Sequence, residues 1–320
     1  MSAGRRAVAI GGGTGLPIVL NCLIALGYDT TAVVTMADDG GSSGALRREL
    51  GMLPPGDVRN CVVAMSDPAS LLARMFQYRF PHGEGLAGHA LGNLIIAALA
   101  DITGSFPDAI QAAEDLLGAR GRVLPSTLAD VVLHAEDREG RPVAGQSNIA
   151  ESTHAVAHVS VEPAWPPAYG PALEAIETAD VIIIGPGSLY TSIIPNFLVA
   201  GTASAVRESV ARRVYICNVA NHRGETCGLD AADHVQALVD HGLTHAIDVV
   251  IVNETEGVPL YELPAEEPAG VSFERVEGGA DALGRIADLG PRVEVRPLVD
   301  PSVPLRHDRD RLYAALEDVL

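Results

Sequence analysis

The 320-residue chain contains no lysine, so all 22 of its basic side chains are arginines. This absence excludes a Walker A phosphate loop, whose lysine contacts the β- and γ-phosphates, and it excludes chemistry that needs a Schiff-base lysine. Positive charge is scarce in general, because 22 basic residues face 41 acidic residues and the formal net charge is −19. A field of that sign repels phosphate backbones and anionic lipid, so we expect no nucleic-acid partner and no membrane insertion.

Cysteines and long apolar runs are also few. The four cysteines form no CxxC pair and show no metal-ligand spacing, so we interpret them as reduced packing residues. The longest apolar stretch, Leu91 to Ala100, contains Asn93 and is far shorter than the roughly 18 apolar residues of a membrane helix. Since the first residues also lack a signal-peptide pattern, we expect a cytoplasmic protein.

The arrangement of apolar residues predicts the fold. Runs rich in Val and Ile alternate with amphipathic stretches, which is typical of a Rossmann-like α/β fold with a mostly parallel, doubly wound sheet. We expect a single domain over residues 1–320. Within it, residues 123–162 resemble antiparallel strands and are predicted to form a small β insert. Residues 254–279 are rich in Pro, Glu and Gly and are predicted to form a variable surface excursion.

The first glycine-rich segment, Gly11 to Gly15, follows the first predicted strand and precedes a helix. Small residues there let backbone N–H groups and the positive helix end approach an anion, which predicts a phosphate loop. The ligand-binding candidates in it are Gly12, Gly13, Thr14 and Gly15. Leu16 stands where GxGxxG has its third glycine, so NAD binding is a weaker hypothesis, and tight strand-to-helix packing is the alternative.

A second polar segment, Met36 to Gly44, follows the next predicted strand. Its ligand-binding candidates are Asp38, Asp39, Ser42 and Ser43. The adjacent carboxylates could hold Mg²⁺ beside a diphosphate, which makes Asp38 and Asp39 the metal-binding and catalytic candidates, or they could contact ribose hydroxyls. An Asx-type turn that caps a helix is the structural alternative.

Further candidates follow other strands and helix starts. Gly185, Gly187 and Ser188 lie in a third glycine loop after a buried strand, and Asn218 and Thr226 follow the next strand. Two glycine loops at the carboxyl ends of parallel strands predict a crevice for a phosphate-bearing ligand. The remaining candidates, at predicted helix starts, are Arg59, Asn60, His89 and Asn93. The third glycine loop is not a GxSxG motif and the histidines form no HExxH pattern, which disfavours hydrolase and zinc-enzyme functions.

Taken together, these motifs resemble the YvcK-type gluconeogenesis factor family, a branch of the CofD-like superfamily. The resemblance covers nearly the whole chain and is carried by Gly11 to Pro17, Met36 to Gly44, Pro54 to Asn60, Phe80 to Leu94, Pro125 to Leu128, Gly185 to Pro195, Gly224 to Thr226, Asp233 to Val235 and Arg306 to Asp308. The chain departs from the branch at His222, Arg223 and Cys227, where Gln, Pro and Asp are more usual.

The resemblance implies a regulatory protein that binds a UDP-activated sugar, notably UDP-N-acetylglucosamine, and that supports growth on gluconeogenic carbon and control of cell shape and the cell wall. It places the uridine diphosphate over the Gly11 and Gly185 loops, and it assigns Tyr261 and Arg306 to the ligand by position. The alternative that it implies is a 2-phospho-L-lactate transferase that uses a nucleotide-activated substrate and Mg²⁺. We also expect a homodimer, because the apolar helices carry little charge, and a regulatory protein partner of unknown identity.

Overall fold

The computed structural model describes residues 4–152, 155–222, 224–255 and 273–320. The strands are β1 (Arg6–Gly11), β2 (Asp29–Val34), β3 (Gly121–Pro125), β4 (Val132–Asp137), β5 (Pro142–Ala144), β6 (Val156–Glu162), β7 (Val181–Ile184), β8 (Arg212–Ile216), β9 (Ala220–His222), β10 (Val249–Asn253), β11 (Phe273–Arg275) and β12 (Arg292–Arg296). The helices are α1 (Leu16–Ala25), α2 (Gly41–Leu50), α3 (Gly56–Ala64), α4 (Leu71–Gln77), α5 (Leu91–Thr103), α6 (Phe106–Leu117), α7 (Gln146–Glu151), α8 (Gly170–Glu177), α9 (Ile194–Phe197), α10 (Thr202–Glu208), α11 (Ala231–Leu238), α12 (Ala280–Asp288) and α13 (Arg309–Val319). Two π-helical segments, Leu189–Ile193 and Val239–Leu243, precede α9 and follow α11.

Seven strands form one parallel sheet in the order β12-β10-β8-β7-β1-β2-β3. From β1 the chain builds outward through β2 and β3, and it then returns to the other side of β1 to add β7 and the remaining strands. The order therefore reverses between β1 and β7, where Ile10 pairs with Ile184. Ligands of doubly wound sheets bind outside the carboxyl ends of the strands at such a point. The predicted Rossmann-like fold is confirmed, and both glycine loops lie at the reversal.

The central strands are apolar because other parts of the fold cover both of their faces. β7 and β10 are buried along their whole length, with the sequences VIII and VVIVN. Strands that are buried on both faces form continuous apolar runs of this kind. The helices that flank them have local start signals. The Ser105 side chain caps α6, and Asp230 and Asp233 form a capping box at the start of α11.

A small antiparallel sheet with the order β5-β4-β6 accounts for the predicted insert. β4 pairs with β6, and α7 lies between β5 and β6 in the chain. The predicted boundary at residue 123 differs from the structure, because Val123 to Pro125 belong to β3 and lie parallel to β2 in the main sheet. Of the predicted excursion 254–279, residues 256–272 lie outside the described residues, and β11 pairs antiparallel with β9.

Several helices and strands differ from the sequence-based expectation. Helix α2 begins at Gly41, so Ser42 and Ser43 lie in its first turn and not in a loop. The residues that follow, ALRREL, are mostly strong helix formers. α12 and β12 were not predicted. In β12, Glu294 pairs with the flanking Arg292 and Arg296, so charged residues alternate with valines and the strand is not a continuous apolar run like β7 or β10.

No helix within the described ranges is both long enough and apolar enough to cross a bilayer.

Candidate functional site

A cleft opens at the carboxyl ends of β1, β7 and β8, where the strand order reverses. The cleft is formed by the loop after β1, the loop after β7, the segment that follows β8 and the residues just before α13. It is lined by Thr14, Gly15, Ile18, Pro186, Gly187, Ser188, Leu189, Asn218, Val219, Ala220, His222, Glu225, Thr226, Leu305, Arg306 and His307. This position is the one that the sheet topology predicts for a ligand.

The two glycine loops contact one another across the floor of the cleft. A Cβ atom on Gly15 would lie 2.7 Å from the Pro186 carbonyl oxygen, so a side chain at this position would push the loops apart. Gly13 has a φ of 67°, in the left-handed region that glycine adopts readily. The glycines therefore serve two purposes here, because they allow both the turn and the close packing of two backbones.

Asn218 joins the second loop to the end of β8. Its Nδ2 donates to the Gly187 carbonyl oxygen at 2.8 Å, and its Oδ1 accepts from the Gly187 N–H at 3.3 Å. Both hydrogen-bonding groups of the amide are used in this pairing. Asn218 therefore lines the cleft as predicted, while its side chain holds the loop in shape.

Glu225 is the buried carboxylate of the cleft wall. Its Oε1 accepts from the N–H groups of Tyr190 and Thr191 at 2.6 and 3.0 Å, and its Oε2 accepts from the Thr191 hydroxyl at 3.2 Å. The carboxylate thus occupies the N-terminus of the π-helical segment after the Gly185 loop. Removal from solvent raises the pKa of Glu225 to about 7, although these hydrogen bonds oppose the rise.

The segment before α13 carries Arg306 to the rim of the cleft. His307 Nε2 hydrogen-bonds the Cys217 carbonyl oxygen at 3.1 Å, and burial lowers the pKa of His307 to about 4, so the ring is neutral near pH 7. Asp308 accepts from the N–H groups at the start of α13. Anchored through the two residues that follow it, Arg306 is exposed. Its guanidinium makes no hydrogen bond or close ion pair among the described residues, although its charge is one of the influences that lower the pKa of Asp300.

Asp57, at the start of α3, meets the first glycine loop. Its Oδ2 accepts from the Gly13 N–H at 2.8 Å. Desolvation and then the neighbouring Asp38 carboxylate raise the pKa of Asp57 to about 7, and desolvation also raises the pKa of Asp38. The structure therefore brings Asp38 close to Asp57, a pairing that adjacency in the sequence does not indicate.

Asp39 faces a different partner. Its two oxygens accept from the N–H groups of Gln146 and Ser147 and from the Ser147 hydroxyl, at 2.8 to 3.0 Å. It therefore caps α7 of the insert, across more than 100 residues of chain. Both Asp39 oxygens therefore already accept hydrogen bonds from the insert. In the part of the chain that the structure describes, no cluster of three or more His, Cys, Asp or Glu residues could hold a metal.

Five of the predicted residues form a polar network beside these carboxylates. The Ser42 hydroxyl lies 3.1 Å from His89 Nδ1 and accepts from Asn93 Nδ2 at 3.1 Å. Asn93 Oδ1 in turn accepts from Arg59 Nη1 at 2.8 Å, and Arg59 Nη2 donates to Asn60 Oδ1 at 2.7 Å. Arg59 is buried, and desolvation lowers its pKa to about 10.

The predicted site residues thus separate into groups. Those that line the cleft are Thr14, Gly15, Gly187, Ser188, Asn218, Thr226 and Arg306. Those that lie beneath it or in the neighbouring polar network are Gly12, Gly13, Asp38, Asp39, Ser42, Ser43, Arg59, Asn60, His89, Asn93 and Gly185. Tyr261 and Arg223 lie outside the described residues.

Sequence reasoning did not select Glu225, Asp57 or His307 as site residues. Glu225 could have been found, because it lies in the motif Gly224 to Thr226. Asp57 has the position of an ordinary helix-capping residue at the start of α3. His307 follows Arg306 directly in the chain.

Comparisons with known proteins show which family this chain resembles. A family model described as 2-phospho-L-lactate transferase CofD matches residues 7–278. A protein of Halalkalibacterium halodurans named gluconeogenesis factor is 47% identical over 319 residues, which cover 98% of this chain and 95% of that protein. A protein of Bacillus subtilis with the same name is 44% identical over 315 residues, with coverage of 97% and 96%.

A relative from Nostoc sp. is 49% identical over 252 residues, which are 78% of this chain but only 55% of that longer protein. Among solved structures, the crystal structure of a Bacillus halodurans protein has a TM-score of 0.90 and 41% identity. The match covers 98% of this chain and 99% of that one. The similarity therefore extends over the main sheet and the insert together.

Proposed function

The chain belongs to the CofD family, among the gluconeogenesis factors, and from this premise we propose that it is a cytoplasmic regulatory protein that binds a UDP-activated sugar, with UDP-N-acetylglucosamine as the expected ligand. The observation that carries the proposal is the cleft at the reversal of strand order, with Arg306 at its rim. A guanidinium that no protein group hydrogen-bonds suits a diphosphate, because it can donate two parallel hydrogen bonds to phosphate oxygens.

The groups that line the cleft are better suited to binding a ligand than to cleaving a bond. Thr14, Ser188 and Thr226 supply hydroxyls along its walls. Two of its potential acid–base groups are already engaged, since His307 bonds a backbone carbonyl and Glu225 holds the helix start. This arrangement supports a sensor of ligand concentration, which would act on growth with gluconeogenic carbon and on cell shape through a protein partner. We propose a homodimer as the signalling form.

The family description favours one alternative, a phospholactate transferase that uses a nucleotide-activated substrate and Mg²⁺. A metal would there neutralise the charge that develops on a diphosphate leaving group. Against this alternative stands Asp39, whose two oxygens already accept hydrogen bonds at the start of α7. The proposal of a binding protein does not require a metal.

The decisive experiment is calorimetric titration of the protein with UDP-N-acetylglucosamine, GDP and NAD, each with and without Mg²⁺. We expect saturable binding of the UDP-sugar that does not depend on Mg²⁺, with the ligand recovered intact by chromatography. A variant with Arg74 on α4 changed to Ala serves as a control, because that arginine is exposed and does not line the cleft.

Each alternative has its own result. Absence of binding by any uridine nucleotide at millimolar concentration would refute the proposal. Preference for GDP with an absolute need for Mg²⁺ would favour the transferase, and preference for NAD would favour oxidoreduction.

A further inference from the structure

A second cavity, of about 430 Å³, lies between β6 of the insert and the helices α9 and α10. Its floor is apolar and includes Val159, Val161, Phe197 and Leu198. Its volume falls in the range of roughly 300 to 1,000 Å³ that small-molecule pockets occupy. It shares no lining residue with the cleft at the strand reversal. The two features are therefore separate places in the fold.

Two stacked imidazoles form one wall of this cavity. The rings of His158 and His241 lie 4.5 Å apart with an interplanar angle of 14°. His241 is buried, its Nδ1 donates to the Ala237 carbonyl oxygen at 2.6 Å, and its Nε2 accepts from the Val159 N–H at 3.2 Å. With one nitrogen donating and the other accepting, His241 is neutral, which agrees with the lowering of its pKa by burial. His158 stacks on this fixed ring and is itself exposed, so it extends a flat aromatic surface toward solvent.

Trp165 lies at the same cavity and is the only tryptophan in the chain. It is 71% exposed, which is unusual for the largest apolar side chain, and its φ of 53° lies in the left-handed region. For a bulky residue that conformation is a genuine outlier, and such outliers gather at ligand-binding sites. The backbone on its C-terminal side is held in place, because the Pro166 carbonyl oxygen accepts from the Ala200 N–H at 2.9 Å.

A cation lies at the edge of this apolar surface. Arg207 on α10 donates to the Ser204 hydroxyl at 3.2 Å and to the Gly242 carbonyl oxygen at 3.5 Å. Both partners are neutral, and within the described ranges Arg207 has no carboxylate partner. The acidic residue of the cavity, Asp240, accepts instead from Gln236 at 2.7 Å. In a chain of net charge −19, this arginine offers a local site for an anion.

We propose that this cavity is a second ligand site, which binds a planar aromatic small molecule that carries an anionic group. The ring of the ligand lies against Trp165 and the His158–His241 stack, and its anionic group faces Arg207. The apolar floor removes the ring from water, and the arginine gives the orientation. The site does not depend on the function proposed for the first cleft.

Trp165 supplies a specific reporter for the test. We would titrate the full chain with 1-anilinonaphthalene-8-sulfonate, a planar aromatic anion, and follow energy transfer from the single tryptophan to the probe. The expected result is saturation at one probe per chain with unchanged far-ultraviolet circular dichroism. Excess UDP-N-acetylglucosamine should leave the bound probe in place. Displacement by that nucleotide, or a signal that never saturates, would overturn the proposal.

Two variants locate the bound probe. Ala203→Phe fills the cavity from α10 and should abolish the transfer signal, whereas Arg207→Gln should weaken binding roughly fivefold through loss of an exposed charge pair. Arg74→Gln is the matched control, since it removes an exposed arginine from α4 without touching the cavity. If Arg207→Gln and Arg74→Gln bind the probe equally, the assignment fails, even where Ala203→Phe does not fold.

Discussion

Glu225 offers the sharpest test of the cleft, because a single substitution can remove its charge and keep its hydrogen bonds. In Glu225→Gln, the amide oxygen can still accept from the Tyr190 and Thr191 N–H groups, as Oε1 does now. The new amide nitrogen can donate to the Thr191 hydroxyl, which turns round to accept. The variant therefore differs from the parent mainly in charge.

The effect on stability follows from linkage. The pKa of Glu225 rises from its ordinary value of 4.5 to about 7 on folding, so the folded chain holds a proton that the unfolded chain releases between these values. Stability therefore falls as pH rises through that window, and the whole loss is present above pH 7. At about 1.36 kcal/mol for each pKa unit, the loss is roughly 3 kcal/mol. Because glutamine does not ionise, the Glu225→Gln variant does not undergo this loss of stability.

The assay is urea unfolding of both proteins between pH 5 and pH 8. At pH 8 we expect Glu225→Gln to be more stable than the parent by roughly 3 kcal/mol, and at pH 5 by less than about 1 kcal/mol. Glu177→Gln, which changes an exposed carboxylate at the end of α8, should show no such trend. A stability difference between Glu225→Gln and the parent that stays constant across this range would refute the electrostatic account of the cleft wall.

Three further predictions concern other parts of the site. Arg306→Ala should weaken UDP-N-acetylglucosamine binding roughly 10- to 150-fold in calorimetry, through loss of a charge-assisted contact of about 1.5 to 3 kcal/mol, whereas Arg74→Ala should not. Gly15→Ala should lower the free energy of unfolding by about 1 to 3 kcal/mol, because the new Cβ would meet Pro186. Gly284→Ala, in α12 with open space around it, should instead raise that free energy by about 0.5 to 1 kcal/mol. Equal effects of the two substitutions in urea unfolding would contradict the close packing of the glycine loops. Asp39→Ala should cost about 1 to 2 kcal/mol and speed amide hydrogen exchange in α7, and unchanged exchange there would argue against its capping role.

The parallel core could be predicted because its signal is local. A run such as VVIVN in β10 is apolar at every position, and this pattern indicates a strand that is covered on both faces. β12 has no such apolar run, since the charged residues of RVEVR alternate with its valines and pair with one another at the sheet edge. For α2, the glycines and serines at its start indicated a loop, while the helix formers that outweigh them come after Gly44.

The part of the candidate site that the order of the strands brings together could be predicted from the sequence. Loops after adjacent parallel strands must meet, so the residues of the two glycine loops came together as expected. Contacts between distant parts of the chain were not predictable. Asp38 and Asp39 are neighbours in sequence, yet one lies near Asp57 and the other caps α7, because α7 comes from an insert whose position the sequence does not specify.

These contacts change how the glycine loops can bind phosphate. A glycine loop at a helix start usually offers free N–H groups to an anion. Here Asp57 takes the Gly13 N–H, and Glu225 takes those of Tyr190 and Thr191. A diphosphate in the cleft cannot use these donors while the carboxylates hold them. Arg306 is the one arginine that lines the described cleft, so the positive charge for a diphosphate has to come chiefly from its side chain. This is the physical reason why, in a chain without lysine, the nucleotide hypothesis depends on Arg306 more than on either glycine loop.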